Sequence, residues 1–482
     1  VKTSSSSSRR TPPDSKLDAP VAAVILAAGE GTRMKSSLAK VLHPVAGRPM
    51  IEHVARQAIA AGASPIIVVV GTQADQVRTQ LCDALPLAPL AFAEQPVRRG
   101  TGDAVGRARQ ALAGFDGDVL ILCGDVPALP PDAVKALVRT HRQAGAALTV
   151  LTALLDDPTG YGRIVRNAKG QIRAIVEQRD CSESQRAIRE INTGSFCVSW
   201  PLLVEALDEI EPSNDQGEYY LTDAVRVLLA KGHHCEAAIH ARPIEAMGVN
   251  SRRQLATMAQ IINQRILEGW MDAGVTLVDP ATTWIDAEVT IGRDSVIYPG
   301  VALVGATQLG ERVIVRQGSR LEDTIVGNGT EILDHVVAVK SVIGAESHVG
   351  PFAHLRPDTV LAPECKIGNF VETKKARFGK GSKASHLSYL GDAEIGSGVN
   401  IGAGTITCNY DGVNKHQTTL EDGVFIGSDT QLVAPVRVGQ GAYVGAGSTI
   451  TKNVPSGALA LTRVEQRNIE GWAERRKAPR KH

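Results

Sequence analysis

Short aliphatic runs alternate with amphipathic stretches through the first half of the chain. The runs at 21–28, 66–70 and 119–122 are strand-sized, and segments of helical spacing follow them at 50–61, beyond 70 and at 131–144. This alternation predicts βαβ units and a mostly parallel sheet, whose ligands sit at loops beyond the carboxyl ends of the strands. At 251–273, Leu255, Met258, Ile262 and Ile266 recur at helical spacing with Arg252, Arg253 and Arg265 between them, which predicts one long connecting helix. The period then changes to six. Ile285, Ile291, Ile297, Leu303, Leu309, Val315 and Leu321 follow one another at that spacing, and Ile343, Val349, Leu355, Leu361 and Ile367 resume it in a new register. Ile395 and Ile401, then Ile426, Leu432, Val438, Val444 and Ile450, continue it, often with glycine next, as in Ile291-Gly292 and Ile426-Gly427. Such a period fits neither a helix nor a hairpin. It predicts a parallel β-helix of hexapeptide repeats, with one aliphatic per hexad pointing inward. Residues 372–392 and 405–423 break the hexads and are rich in polar side chains, so they are expected to be expelled outward.

Composition adds a boundary and several exclusions. The chain has 482 residues, room for roughly three compact units. Of its 47 glycines, 20 precede residue 274 and 27 follow in the shorter remainder, which places the change of architecture there. Hydrophobic residues at 43% and charged residues at 21% exclude a wholly disordered, collagen-like or coiled-coil chain. With 52 Lys and Arg against 51 Asp and Glu, no global field favours nucleic acid or an anionic membrane, so phosphate chemistry must use local cations. No apolar run approaches the roughly 20 residues of a membrane span. The seven cysteines are scattered, odd in number and without a CxxC pair, and read as reduced thiols of a cytoplasmic protein. Residues 1–20, with serines at 4–8 and Pro12-Pro13, are expected to be a disordered extension.

Two constellations carry chemistry. In the first half, the glycine-rich turn Leu26-Ala27-Ala28-Gly29-Glu30-Gly31-Thr32-Arg33 follows a strand and precedes Lys40. Its glycines let backbone amides approach phosphate oxygens, and Arg33 and Lys40 can neutralise charge that shifts during nucleotidyl transfer. Gln95 stands five residues before Gly100-Thr101, and Cys123-Gly124-Asp125 closes a strand. An Asp at a strand end, with one distant oxygen ligand, suits Mg²⁺ held against a nucleoside triphosphate. In the second half, His386 lies in a break of the hexads near Arg356, Lys374 and Tyr389, groups suited to an anionic sugar phosphate. It is the candidate base for acyl transfer from a thioester to an amine.

The first constellation resembles the sugar nucleotidyltransferases. With the hexapeptide half, residues 21–465 resemble the bacterial bifunctional N-acetylglucosamine-1-phosphate uridyltransferase and glucosamine-1-phosphate N-acetyltransferase family. The fold class implied is α/β: a Rossmann-like nucleotidyltransferase domain at 21–252, a linker helix at 253–273, a left-handed parallel β-helix at 274–465 and a basic tail at 466–482. The resemblance implies that Leu26, Ala27, Ala28, Gly29 and Lys40 contact UTP, that Gln95, Gly100 and Thr101 read the uracil, and that Cys123 and Gly124 line the same site. Asp125 and Asn250 would ligate Mg²⁺, and Gly162, Glu177 and Asn192 would hold the sugar. It implies Arg356, Lys374, Tyr389 and Asn400 for glucosamine-1-phosphate, and His386 as the base. Ala403, Asn409, Tyr410, Ser428, Ala446 and Arg463 would bind acetyl-CoA. Glu372 could orient His386. The resemblance further implies a homotrimer with sites between subunits, in which Arg463 reaches a neighbour's cofactor; the charge balance and the absence of a long apolar run lead to the expectation of no nucleic-acid partner and no membrane insertion.

Three positions depart from the pattern: Glu30 where a Lys is frequent, Cys123 where an aromatic often precedes Gly-Asp, and Asp103 where a His often follows Gly-Thr-Gly. They bear on nucleotide affinity, since Arg33, Lys40 and Asp125 remain. Two other readings stand beside this one. A single-activity nucleotidyltransferase with an assembly or regulatory β-helix would not need His386, Asn409-Tyr410 and Arg463. A non-catalytic scaffold would not need Arg33, Lys40, Asp125 and His386.

Overall fold

The computed structural model describes residues 19–477; the expected N-terminal extension, up to residue 18, and the end of the basic tail, 478–482, lie outside the described residues. The chain divides into two compact units within the helix Arg252–Asp272, the first ending at Ile262 and the second starting at Asn263.

In the first unit the aliphatic runs form a nine-stranded sheet. Its main path runs Cys235–Ile239, Leu148–Leu154, Glu190–Ser199, Asp118–Cys123, Val21–Ala27, Ile66–Val70 and Leu90–Glu94. Pairing is parallel except around Glu190–Ser199, which runs antiparallel to both neighbours and also carries the hairpin Arg163–Arg166 and Ile172–Val176. Ile66–Val70 is buried at every position, as a strand covered by helices on both faces must be. Helices Met50–Ala60, Ala74–Ala84 and Pro131–Ala144 fall where the spacing predicts them. From Val21–Ala27 the chain goes to Ile66–Val70 on one side and later returns to Asp118–Cys123 on the other. That reversal opens a crevice at the carboxyl ends of Val21–Ala27 and Asp118–Cys123, the switch point at which open α/β sheets bind ligands.

The second unit is a three-sided parallel β-helix of short strands. All nineteen hexad aliphatics named above are buried and share one core. Early coils take 18 residues, as Leu303 pairs with Leu321, and later ones often take 17, as Leu321 pairs with Ala338. The shortened sides run from Leu321 to Val326, Ala338 to Ile343, Thr373 to Phe378 and Leu390 to Ile395. Each turns on a residue with positive φ: Asp323 (47°), Lys340 (45°), Lys375 (47°) and Asp392 (48°). The segment 372–392 is therefore not expelled. Thr373, Phe378, Ala384 and Leu390 point inward and are buried, and the hexad pattern lapses because sides are one residue short and two inward positions are small or polar. The segment 405–423 does depart. Ile401 pairs with Ile426, so that coil takes 25 residues and carries a loop around Tyr410 and Lys415. Close stacking explains the glycine after the inward residue: a Cβ on Gly368 would lie 1.9 Å from the Ser385 carbonyl oxygen. At the start of this unit, buried Asn263 donates to the Thr283 carbonyl (2.9 Å) and accepts from the Ile285 amide (3.0 Å), tying the helix to the first coil.

Candidate active sites

The crevice of the first unit holds a cavity of about 260 Å³ lined by Leu26, Ala27, Ala28, Gly29, Lys40, Gln95, Gly100, Thr101, Cys123 and Asp125, together with Arg98 and Glu218. Ten residues expected at the nucleotide thus surround one space. Lys40 opens a short turn, Lys40–Leu42, and its stem packs on Gly31. Any Cβ at Gly31 would come within 2.5 Å of the lysine, and φ of 65° there already favours glycine. The Lys40 ammonium donates to an Asp125 carboxylate oxygen and to Asn250 Oδ1 (3.2 Å). Asp125 and Asn250, 125 residues apart in sequence, therefore aim oxygens at a single cation. Two hard oxygen donors with room for substrate oxygens fit Mg²⁺. Among the described residues no group of three or more His, Cys, Asp or Glu gathers that could hold a metal ion by itself.

Gly124 donates its amide to the Leu26 carbonyl (2.9 Å), which joins the two loops of the crevice. Arg33 is exposed on the turn Thr32–Met34. Its charge and that of Asp125 act in opposite senses on the Tyr161 hydroxyl, whose pKa is raised mainly by burial. Gly162 lies against the Glu177 carboxylate and accepts from the Asn192 amide through its carbonyl (2.9 Å), so the three expected sugar residues form one cluster. Burial pushes the Glu177 carboxyl above the usual glutamate value, although Thr222 donates to it (3.2 Å).

The departures acquire partners. Glu30 is ion-paired with Arg98, a cavity-lining residue that follows the strand Leu90–Glu94, so its negative charge is compensated. The Cys123 thiol sits near the Gly194 carbonyl (3.4 Å) and is pushed up to about 12, by burial and then by the Asp125 charge, which keeps it neutral. Asp103 accepts from Gln95 Nε2 (2.8 Å) and from Arg107 (2.9 Å).

In the second unit, His386 stands exposed at a corner of the β-helix. Its Nδ1 is 2.7 Å from Asn369 Oδ1, the residue in register on the preceding coil. Asn369 was not legible in the sequence, because it pairs through coil stacking rather than spacing. With Oδ1 accepting, the ring proton sits on Nδ1 and Nε2 keeps its lone pair. Glu372 is engaged elsewhere: it takes Arg356 in an ion pair at 2.7 Å and so does not orient His386.

Beyond His386 the same corner climbs coil by coil. Gly404 donates to the Leu387 carbonyl, Asp429 to that of Ala403 and Gly447 to that of Ser428, and Arg463 Nη1 then reaches the Ala446 carbonyl (3.0 Å). His386, Ala403, Ser428, Ala446 and Arg463 therefore form one column, about 19 Å long at the usual strand spacing. Its middle is small side chains.

Arg356, Lys374 and Tyr389 share a neighbouring face, with Tyr389 in register with Glu372. The ammonium of Lys374 is held below its usual value by the adjoining Lys415, then by Arg356. Lys415 comes from the enlarged coil, and only its place in a polar interruption hinted at it. Buried Asn409 donates to Asp392, and exposed Tyr410 donates to the Gly412 carbonyl. Asn400 is not brought to this face: it lies in the eleven-stranded sheet, paired with Lys383 and Phe425.

The N-terminal half matches the nucleotidyl transferase family over residues 22–277. Residues 281–377 match the GMPPB C-terminal domain, and 417–452 match six repeats of the bacterial transferase hexapeptide. Along nearly its whole length the chain is 51% identical to the bifunctional protein GlmU of Pelobacter propionicus, covering 95% of this chain and 99% of that one. It is 50% identical to that of a Geobacillus species (94% and 97%) and 50% identical to that of Streptomyces avermitilis (95% and 95%). The chain belongs to the GlmU family. It is a bifunctional enzyme, with uridylyl transfer to N-acetylglucosamine-1-phosphate in the nucleotidyl transferase half and acetyl transfer to glucosamine-1-phosphate in the hexapeptide half. No helix among the described residues is long and apolar enough to cross a membrane.

Proposed function

We propose that the two activities run at these two separate sites, with acetylation first. In the second unit, the anionic phosphate of glucosamine-1-phosphate sits among Arg356, Lys374 and Lys415, where the crowding of Lys374 by Lys415 favours an anion although Arg356 is paired with Glu372. Tyr389 and Asn400 complete the sugar site. Asn400 lies on another face, which supports a homotrimer in which a neighbouring copy supplies it. Acetyl-CoA lies along Ala403, Ser428 and Ala446, with Asn409, Tyr410 and Arg463 about it. The sugar amine attacks the thioester carbonyl, the carbon–sulfur bond breaks, and His386 Nε2 takes the ammonium proton. The observation that carries this reading is the Asn369–His386 pair at the foot of a lane of small side chains.

In the first unit, an oxygen of the N-acetylglucosamine-1-phosphate attacks the α-phosphate of UTP and pyrophosphate leaves. Leu26, Ala27, Ala28 and Gly29 hold the nucleotide, Gln95, Gly100 and Thr101 meet the base, and Gly162, Glu177 and Asn192 hold the sugar. Lys40 and Arg33 turn their charge to the phosphates. Asp125 and Asn250 would hold Mg²⁺, which supplies charge neutralisation on the triphosphate when bound. The seven unpaired cysteines support a cytoplasmic location.

The test is a pair of product assays on one preparation. CoA should be released from acetyl-CoA only with glucosamine-1-phosphate, and pyrophosphate from UTP only with N-acetylglucosamine-1-phosphate. Pyrophosphate release without any CoA release would leave a single-activity nucleotidyltransferase.

A pH dependence follows from Glu177. Its folded pKa is raised, so protonation begins above the ordinary glutamate range and removes an acceptor for sugar hydroxyls. KM for the sugar phosphate in uridylyl transfer should rise as pH falls through that raised value. In Glu177→Gln, KM should be higher throughout and this component of the pH profile absent. A wild-type profile matching that of the variant would remove Glu177 from sugar binding.

A further inference from the structure

We propose that Asp103 is a positioning residue that sets the base specificity of uridylyl transfer, by fixing which end of the Gln95 amide faces the nucleobase. The proposal rests on the reading above in which Gln95 meets the base. Gln95 follows the strand Leu90–Glu94, is 4% exposed, and has its backbone amide tied to the Val70 carbonyl at 2.9 Å. Its side-chain nitrogen has two hydrogens and two acceptors: the Gly100 carbonyl at 3.1 Å and Asp103 Oδ2 at 2.8 Å. A carbonyl and a carboxylate only accept. Turning the amide over would set its oxygen against both, one of them charged, so the nitrogen end stays inward.

The Oε1 end is what remains. Among the described residues no donor bonds it, it is not among the buried unpaired atoms, and Gln95 lines the cavity beside Gly100 and Thr101. A fixed acceptor there takes the N3–H of uracil, but meets a lone pair at N3 of cytosine. Mismatched polar edges of this kind separate two ligands more sharply than size does. Without Asp103 the amide keeps one acceptor, the Gly100 carbonyl, which already accepts from the Ala104 amide at 3.2 Å. The preference for the nitrogen-inward orientation is then weaker, and with it the preference for uracil.

Asp103 has a second possible role. It lies in the first turn of the helix Thr101–Gly106 and pairs with Arg107 four residues on, which stabilises the local backbone whatever nucleotide is bound. The two roles differ in what they move. A structural role changes all nucleotides alike; the orienting role changes their ratio.

The experiment measures kcat/KM for UTP and for CTP with N-acetylglucosamine-1-phosphate, using the full chain, with its thermal unfolding profile against the wild type as the check on folding. Asp103→Ala should lower the UTP-to-CTP ratio about tenfold or more, chiefly through KM. Asp103→Asn, whose amide can offer Gln95 either an oxygen or a nitrogen, should lower the ratio less than Asp103→Ala. If Asp103→Ala weakens both nucleotides equally, the orienting role is overturned. If Gln95→Ala leaves the ratio untouched, the underlying assignment of Gln95 to the base fails. If Gln95→Ala lowers the ratio and Asp103→Ala does not, that assignment stands and the role given to Asp103 falls. Should Asp103→Ala be recovered unfolded, Asp103→Ser, too short to reach the amide, is held to the same ratio.

Discussion

Replacing His386 with alanine should lower acetyl transfer by about 10²- to 10⁴-fold, the usual contribution of a placed general base, and leave uridylyl transfer at its wild-type rate. The first expectation comes from the Asn369 partner, which holds the ring proton on Nδ1 and leaves Nε2 as the one basic atom of the ring. His386 is exposed at a corner, so its removal leaves no buried cavity, and the β-helix should keep its melting temperature. The second expectation comes from the division of the chain, since His386 belongs to the unit beginning at Asn263 and the nucleotide cavity to the unit before it. Asn369→Ala is the milder companion. It frees the tautomer without removing the base and should cost acetyl transfer less, with a changed pH profile. Near-normal acetylation by His386→Ala would take the imidazole out of the chemistry. Loss of both reactions in a folded chain would instead show that the sites are not independent.

Much of this was legible in the sequence, and what was not has identifiable causes. The hexad aliphatics announce a β-helix because one inward residue per side is a demand of the architecture itself, and every one named is buried. The pattern lapses at Thr373, Ala384 and Thr407, where buried residues too small or too polar to register as hydrophobic still face the core. It also slips wherever a side is one residue short, as from Ala338 to Ile343 through Lys340 in a left-handed conformation. Period alone cannot distinguish such a slip from a loop, which is why 372–392 reads as expelled when it is not.

In the candidate sites, residues on strand ends and glycine-rich turns were legible because local geometry links residue type to role. Lys40, Asp125 and the turn from Leu26 to Gly29 are of this kind. Partners contributed from another coil were not. Asn369 meets His386 and Lys415 meets Lys374 only because the chain stacks at 17 residues in one place and at 25 in another. Likewise Arg98, the partner of the acidic Glu30 in the phosphate loop, comes from another loop and was not legible from spacing.

Asp125→Ala should abolish most uridylyl transfer, by at least about 10²- to 10³-fold as for loss of one preorganised charge-stabilising group, with acetyl transfer unchanged. Asp125 is the charged member of the pair that could hold Mg²⁺, because Asn250 brings only a neutral amide oxygen. It is also the counter-ion of Lys40, whose ammonium it shares with Asn250. Removing the carboxylate therefore has two opposed consequences. Mg²⁺ loses its anionic ligand, so the Mg²⁺ concentration giving half-maximal rate should rise. Lys40 loses a competitor for its charge, so UTP measured by calorimetry without Mg²⁺ should bind no more weakly than to the wild type. Asp125→Asn, which preserves shape and one oxygen, should show the same split with a smaller rise in the Mg²⁺ requirement. Weaker metal-free UTP binding with an unchanged Mg²⁺ requirement would mean that Asp125 shapes the nucleotide pocket rather than serving the cation, and the pairing of Asp125 with Asn250 would then have no part in the reaction.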